Sequence, residues 1–214
     1  DVKVGEWYTG SVAWAAKNGI VNGMGGGIYG VTGTITVEQA CTILFRYNGG
    51  KDGKLDGKAM TDFADASSVS SWAADGVKWA VENGITTGVT PTLFMPDMTC
   101  TRAQAVTFLW RAAGCPAPKS AEMPFIDVPA NAYYYDAVIW AVENGITTGT
   151  NDGSTFSPDM VCSRSQIVTL IARMEEAEKS EAENPFTDVK ESDYYHNSVL
   201  WAVENYITKG TTDT

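Results

Sequence analysis

Along residues 133–144 the apolar side chains Tyr134, Ala137, Val138, Ala141 and Val142 recur at three- and four-residue intervals, with polar and acidic residues between them. That spacing predicts an amphipathic helix from about Tyr133 to Asn144. Trp140 falls off this stripe, so the helix is apolar on more than one side and should be buried by more than one neighbour. Asn144-Gly145 ends it, because glycine takes the left-handed conformation after a helix without a Cβ clash. A second stripe, Val106, Leu109, Trp110 and Ala113, predicts another helix. It opens on Thr101-Arg102-Ala103-Gln104, a capping box in which the Thr oxygen accepts from the third amide and the Gln returns the bond. Ser163-Arg164-Ser165-Gln166 is a second such box. Between first and second helices run Gly- and Thr-rich loops, each with one large aromatic, Phe94 or Phe156, predicted to plug into the core.

The same pattern recurs along the chain. Tryptophans at 14, 79, 140 and 201 sit in related segments, Val77-Lys78-Trp79-Ala80-Val81-Glu82-Asn83-Gly84-Ile85 being one, so the period is 65, then 61, then 61 residues. The units are 1–50, 61–115 and 123–176, with a partial fourth at 184–214; the first has a shortened opening. Gly/Lys-rich 48–60, Pro-rich 115–120 and charged 175–184 read as linkers. A unit of about 60 residues buries too little surface to be comfortable alone, so the units should pack on one another. The expected fold is mainly α, built of helix-loop-helix repeats. Tryptophans at a constant offset read as core. The fourth copy has Asn205-Tyr206 where the others have Asn-Gly, so its helix end must differ.

Charge and composition then narrow the function. Twenty-six acidic residues against fifteen basic give a net charge of −11, which repels nucleic acid and anionic membrane surfaces. An anionic ligand would need a local cluster of Arg or Lys. No apolar run approaches the length of a membrane span, so no membrane insertion is expected. Four cysteines without a CxxC pair, and a single histidine, make a zinc site improbable. Cys100 and Cys162 occupy matched positions and read as small buried apolar residues; Cys41 and Cys115 do not match each other, and a disulfide among the four stays open. Asn151-Asp152-Gly153 resembles part of a calcium loop whose other ligands are missing. His196 reads as an exposed polar residue on a first helix. No metal, cofactor or catalytic group is expected: nucleophile elbow, phosphate loop and His-containing metal motif are all lacking. The chain opens and stops inside repeats, as a piece of a longer polypeptide would.

The ordered combination Phe-x-Asp-Val, Tyr-Tyr-x-x-Ala-Val-x-Trp-Ala, Asn-Gly-Ile, Phe-x-Pro-Asp and Thr-Arg-Ala-Gln resembles the S-layer homology repeat of bacterial surface proteins. The resemblance implies three units in a pseudo-threefold arrangement around a central bundle made by the first helices, with binding grooves between units. It implies an extracellular, wall-associated protein anchored non-covalently to a secondary cell-wall polysaccharide carrying acidic, pyruvylated sugars.

By position, the family's key arginine matches Arg102 and Arg164, next to Gln104 and Gln166, which replace the family's Glu. An arginine on a helix's first turn would set a guanidinium beside free backbone amides, where a carboxylate can be met by two bonds. The first unit reads Thr36-Val37-Glu38-Gln39, so Val37 replaces the arginine and its groove should be weak or dead. Asp65, Asp127 and Asp188 match the family's opening Asp, Gly88 and Gly149 its loop Gly, and Trp72 and Tyr133 are candidate sugar-stacking aromatics. An Asp before a helix also commonly closes a turn, and an exposed Arg can be a solvated charge only. The alternative to a carbohydrate anchor is a self-assembly module that associates through its partial terminal repeats.

Overall fold

The computed structural model describes residues 1–51, 55–119 and 122–176. The chain there is mainly helical, with six α-helices, three single 3₁₀ turns and isolated β-bridges but no strand among the described residues. Each unit contributes two helices: α1 (Thr9–Lys17) and α2 (Val37–Tyr47), α3 (Ala74–Glu82) and α4 (Arg102–Ala112), α5 (Tyr135–Glu143) and α6 (Arg164–Met174). The second helices all open on a complete capping box, at Thr36/Gln39, Thr101/Gln104 and Ser163/Gln166. The first helices end at Gly19, Gly84 and Gly145, with φ of +67°, +64° and +66°. Before each glycine an asparagine side chain donates to the carbonyl of Trp14, Trp79 or Trp140 at 2.7–2.9 Å.

Helices of one unit do not make the main helix pairs. Each first helix lies on the second helix of the unit before it, α3 on α2 and α5 on α4, and α1 closes the series on α6. The second helices meet in the middle, α4 touching both α2 and α6. This corrects the expectation that the first helices form the central bundle. The reason lies in the side chains: α4 buries Ala103, Ala105, Val106, Thr107, Phe108 and Leu109, residues on every side of the helix, whereas α1 buries only Ser11, Val12 and Ala15. Gly76 marks how closely α3 approaches α2, since a Cβ there would meet the Cα of Thr42 at 2.8 Å.

Just before the second helices the three units are tied in a closed hydrogen-bonded triangle. The Ile35 amide donates to the Cys162 carbonyl (3.1 Å), the Cys162 amide to Cys100 (2.9 Å) and the Cys100 amide to Ile35 (2.8 Å). All three side chains are fully buried. Cys100 and Cys162 fill the position an isoleucine fills in the first unit, which bears out their reading as small apolar residues. All four cysteines are free thiols, and burial pushes Cys41 and Cys162 up to about 12, so they are inert toward exchange. Phe94 and Phe156 are buried as predicted, edge-on or tilted against Phe63 and Phe125 at 5.9 Å. Trp79 and Trp140 are core residues, while Trp14 is half-buried.

Candidate inter-unit site

The loop of each unit caps the second helix of the unit before it. The Arg102 and Ala103 amides donate to the Met160 and Pro158 carbonyls, those of Val37 and Glu38 to Met98 and Pro96, and that of Arg164 to Gly33, at 2.9–3.2 Å. The expected free amides beside the guanidinium are therefore already bonded. A helix start buried between units must satisfy its own donors, and here it does so on neighbouring carbonyls.

The arginines extend the same interlock. Arg102 donates from Nε to the Phe156 carbonyl at 2.9 Å and lies 4.9 Å above that ring. Arg164 donates from Nε to Tyr29 and from Nη2 to Asn22, both at 3.0 Å, and lies 4.8 Å above the Tyr29 ring. Burial pulls the Arg102 guanidinium below its ordinary value, and burial pushes the Tyr29 phenol up to about 12 against the opposing charge of Arg164. Only 6% of Arg102 is exposed, whereas Arg164 is half-buried.

The opening aspartates grip the same loop residues from the other side. Asp127 accepts from the Phe156 and Ser157 amides at 2.8 Å, and Asp65 from Phe94 and Met95 at 2.8 and 2.7 Å. Asp1 does the same for Tyr29, Gly30 and Val31; sequence reasoning passed over it, although Asp1-Val2 repeats Asp127-Val128. Each plug residue is thus held by its own unit's carboxylate at its amide. Phe156 and Tyr29 are also held at the carbonyl by the preceding unit's arginine. Val37 offers Phe94 no such donor. Units 1 and 2 are joined instead through Glu38, 3% exposed, which accepts from the Ser70 amide and hydroxyl at 3.0 and 2.9 Å.

The loop glycines are fixed by their own units. Gly88 and Gly149 both have φ of +83°, and a Cβ would lie 2.4 Å from Phe63 and 2.3 Å from Phe125. Gln104 and Gln166 accept from the Thr101 and Ser163 amides at 2.9 Å, completing the caps. Trp72 and Tyr133 stand in the open, 54% and 61% exposed. Trp7, 55% exposed, is the third of this series; its place 65 residues before Trp72 was the available signal. Asp188 and His196, like Asn205-Tyr206, lie outside the described residues.

One cleft gathers side chains from all three units: Asn22, Gln39 and Arg46 of the first, Trp72 of the second and Arg164 of the third. Arg46 belongs to a second arginine series, with Arg111 and Arg173, at the same register in α2, α4 and α6. Its signal in the sequence is its constant place ten residues after the caps Thr36, Thr101 and Ser163. Arg111 and Arg173 donate from Nη1 to the Ile85 and Ile146 carbonyls, each at the end of its own unit's first helix, at 3.2 and 3.5 Å. Two guanidinium groups beside an exposed indole, in a chain of net charge −11, form the local positive cluster an anion would require. Among the described residues no three His, Cys, Asp or Glu side chains are gathered to hold a metal ion, and no helix is long and apolar enough to cross a membrane.

The profile described as S-layer homology domain matches residues 1–41, 62–106, 124–168 and 185–214. The chain is 31% identical over 148 residues to the Surface-layer 125 kDa protein of Lysinibacillus sphaericus, covering 69% of this chain and 12% of that protein. It is 33% identical over 111 residues to the Amylopullulanase of Thermoanaerobacterium thermosulfurigenes, 51% of this chain and 6% of that one. Cell surface glycoprotein 1 of Acetivibrio thermocellus is 30% identical over 181 residues, 78% of this chain and 8% of the relative. The chain thus spans a small fraction of the length of these proteins.

Proposed function

This chain belongs to the S-layer homology domain family, a family of binding modules that anchor proteins at the bacterial cell wall, and from that premise we propose that it holds its parent protein to an acidic, pyruvylated secondary cell-wall polysaccharide. The observation that carries this reading is the convergence of Arg164, Arg46 and Trp72, from three units, on one cleft. A pyruvyl carboxylate has the geometry to meet a guanidinium fork by two charge-assisted bonds. An exposed indole offers a flat apolar face to a sugar ring, and Gln39 and Asn22 supply polar contacts to hydroxyls.

By repeat register, Arg173 stands to Arg102 as Arg46 stands to Arg164, and Trp7 to Arg173 as Trp72 to Arg46. A second binding cleft follows from that correspondence. In it the buried Arg102 acts as a positioning residue by fixing the Phe156 loop, and Arg173 supplies the ligand-facing charge. The cleft that should be completed at residue 37 has Val37 in place of the arginine and is the weak one, with Arg111 and Tyr133 left to it. The opening aspartates and the loop glycines shape the clefts from behind.

The test is co-sedimentation of the chain with bacterial wall sacculi carrying pyruvylated polymer, before and after mild acid removal of the pyruvyl groups. Retention that is lost on acid treatment, and lost in an Arg46→Ala/Arg164→Ala/Arg173→Ala variant that still folds, is the expected result. Undiminished retention of that variant would overturn the site assignment. Self-assembly is the second reading, favoured by the extra matched segment at 185–214; sedimentation velocity that shifts with concentration would support it.

A further inference from the structure

The three second helices run out at one place. Tyr47, Ala112 and Met174, the last residues of α2, α4 and α6, line a cleft of about 430 Å³ together with the residues that follow them. A volume of that order is ordinary for a small-molecule site. The units differ here in a way that makes the room: where the first and third supply Tyr47 and Met174, the second supplies alanine, and Trp140 of α5, the helix that lies on α4, adds its side. The cleft shares no lining residue with the one that holds Arg46 and Arg164.

The lining is rich in acceptors. A helix C-terminus carries about half a negative charge, and three of them meet here. The carbonyls of Tyr47, Ala112 and Met174 accept no hydrogen bond from a described residue. Glu175 adds a full charge. The Tyr47 hydroxyl donates to its Oε1 and so ties α6 to α2 across the opening, while Oε2 has no donor among the described residues. Lys51 is exposed at the rim, where solvent screens its positive charge.

One indole faces this array with its donor unspent. The N–H of Trp79 is bonded to the Lys51 carbonyl and that of Trp110 to the Pro116 carbonyl. Pro116 follows the cap Thr101 at the distance at which Lys51 follows Thr36, so it is the acceptor that register assigns to Trp140, and Trp110 has taken it. Trp140 is only 7% exposed and its N–H has no acceptor among the described residues, yet no fully buried polar side-chain atom there lacks a partner. That N–H therefore opens on the cleft its residue lines.

We propose that this cleft binds a small organic ammonium bearing hydroxyl groups, the chemistry of an amino sugar with a free amine. The ammonium donates to Glu175 Oε2 and to carbonyls of the helix ends. The rings of Trp140 and Tyr47 give it a surface that attracts cations, and a sugar hydroxyl accepts from the Trp140 N–H. An acidic sugar is excluded by the same charges that hold the amine. The site stands whether or not the arginine clefts bind an acid, since it uses none of their residues.

The test is a titration of the isotope-labelled full chain with glucosamine hydrochloride, at mildly acidic pH where the amine is protonated, followed by nuclear magnetic resonance. The reporter is the Trp140 indole N–H signal, assigned by its loss in Trp140→Phe. It should shift saturably at millimolar glucosamine, and N-acetylglucosamine, whose nitrogen is neutral, should leave it in place. Glu175→Gln should weaken the apparent affinity by about tenfold; Glu175 is exposed, and the remaining indole signals show that the variant keeps its fold. The Arg46→Ala/Arg164→Ala/Arg173→Ala variant should titrate as the wild type does, which separates this site from the arginine clefts. No shift, an equal shift with N-acetylglucosamine or with ammonium chloride, or an affinity unchanged in Glu175→Gln would each overturn the proposal.

Discussion

The Arg102 guanidinium donates from Nε to the carbonyl of Phe156, 54 residues later in the next unit, while the amide of the same Phe156 is held by Asp127. One peptide plane is thereby clamped between two units. Replacing Arg102 with Ala removes a charged hydrogen bond and a ring contact from a buried seam, and should cost about 3 kcal/mol, seen as a lower urea midpoint. Arg164 is half-buried, so Arg164→Ala should cost about 1 kcal/mol and show its main effect in wall retention. Equal losses of stability in the two variants would contradict this division.

Val37→Arg restores a donor opposite the Phe94 carbonyl, in the slot where Arg102 and Arg164 sit in the other units. The variant should bind one more equivalent of a pyruvylated oligosaccharide than the wild type, as read by titration calorimetry. An unchanged stoichiometry would mean that Glu38 and Ser70 have given that seam a different use.

Burial alone would raise the Asp65 carboxyl, but the Phe94 and Met95 amides outweigh it and hold it below the ordinary 3.8. A carboxylate depressed in the folded state adds stability above its unfolded value and loses it as pH falls through the folded one. Stability should therefore decline below about pH 4. Asp65→Asn should be less stable at neutral pH and flatter in its acid limb, measurable by thermal unfolding across pH 2.5–7.

Gly149→Ala should destabilise by about 2 kcal/mol or more, since it combines a left-handed backbone with a Cβ 2.3 Å from Phe125 and 2.6 Å from the Thr155 carbonyl. Gly145→Ala, with a similar φ but nothing within 4 Å of the new Cβ, should cost about 1 kcal/mol. Comparing their denaturation midpoints separates backbone strain from collision.

The elements were legible because local chemistry sets them. The stripe from Tyr134 to Val142 gave α5 to within two residues at its start, Thr101 and Ser163 marked their helices, and Phe156 was a plug because nothing else in its loop was large and apolar. Which unit's loop covers which helix start was not legible. Thr101-Arg102-Ala103 reads the same whether its amides face solvent, a ligand or Met160 and Pro158. For the same reason the second helices took the centre unannounced, and Arg102 was placed at a binding surface without sign of its 6% exposure. Trp7 and Arg46 were within reach, each a constant offset from a residue already singled out.

The triangle of Ile35, Cys100 and Cys162 also sets the order of events in time. Each of its sides joins residues 62 or more positions apart, and two of its three sides wait for the third unit. A stacked repeat array can nucleate on any neighbouring pair and zip outward. Here the chain must close very long loops before the reward arrives, so the domain should fold slowly for a helical protein and lose its structure in a single cooperative step. A nascent chain paused after unit 2 would hold α2, α3 and α4 with their central faces still open to water, the condition under which chaperones and aggregation compete for it.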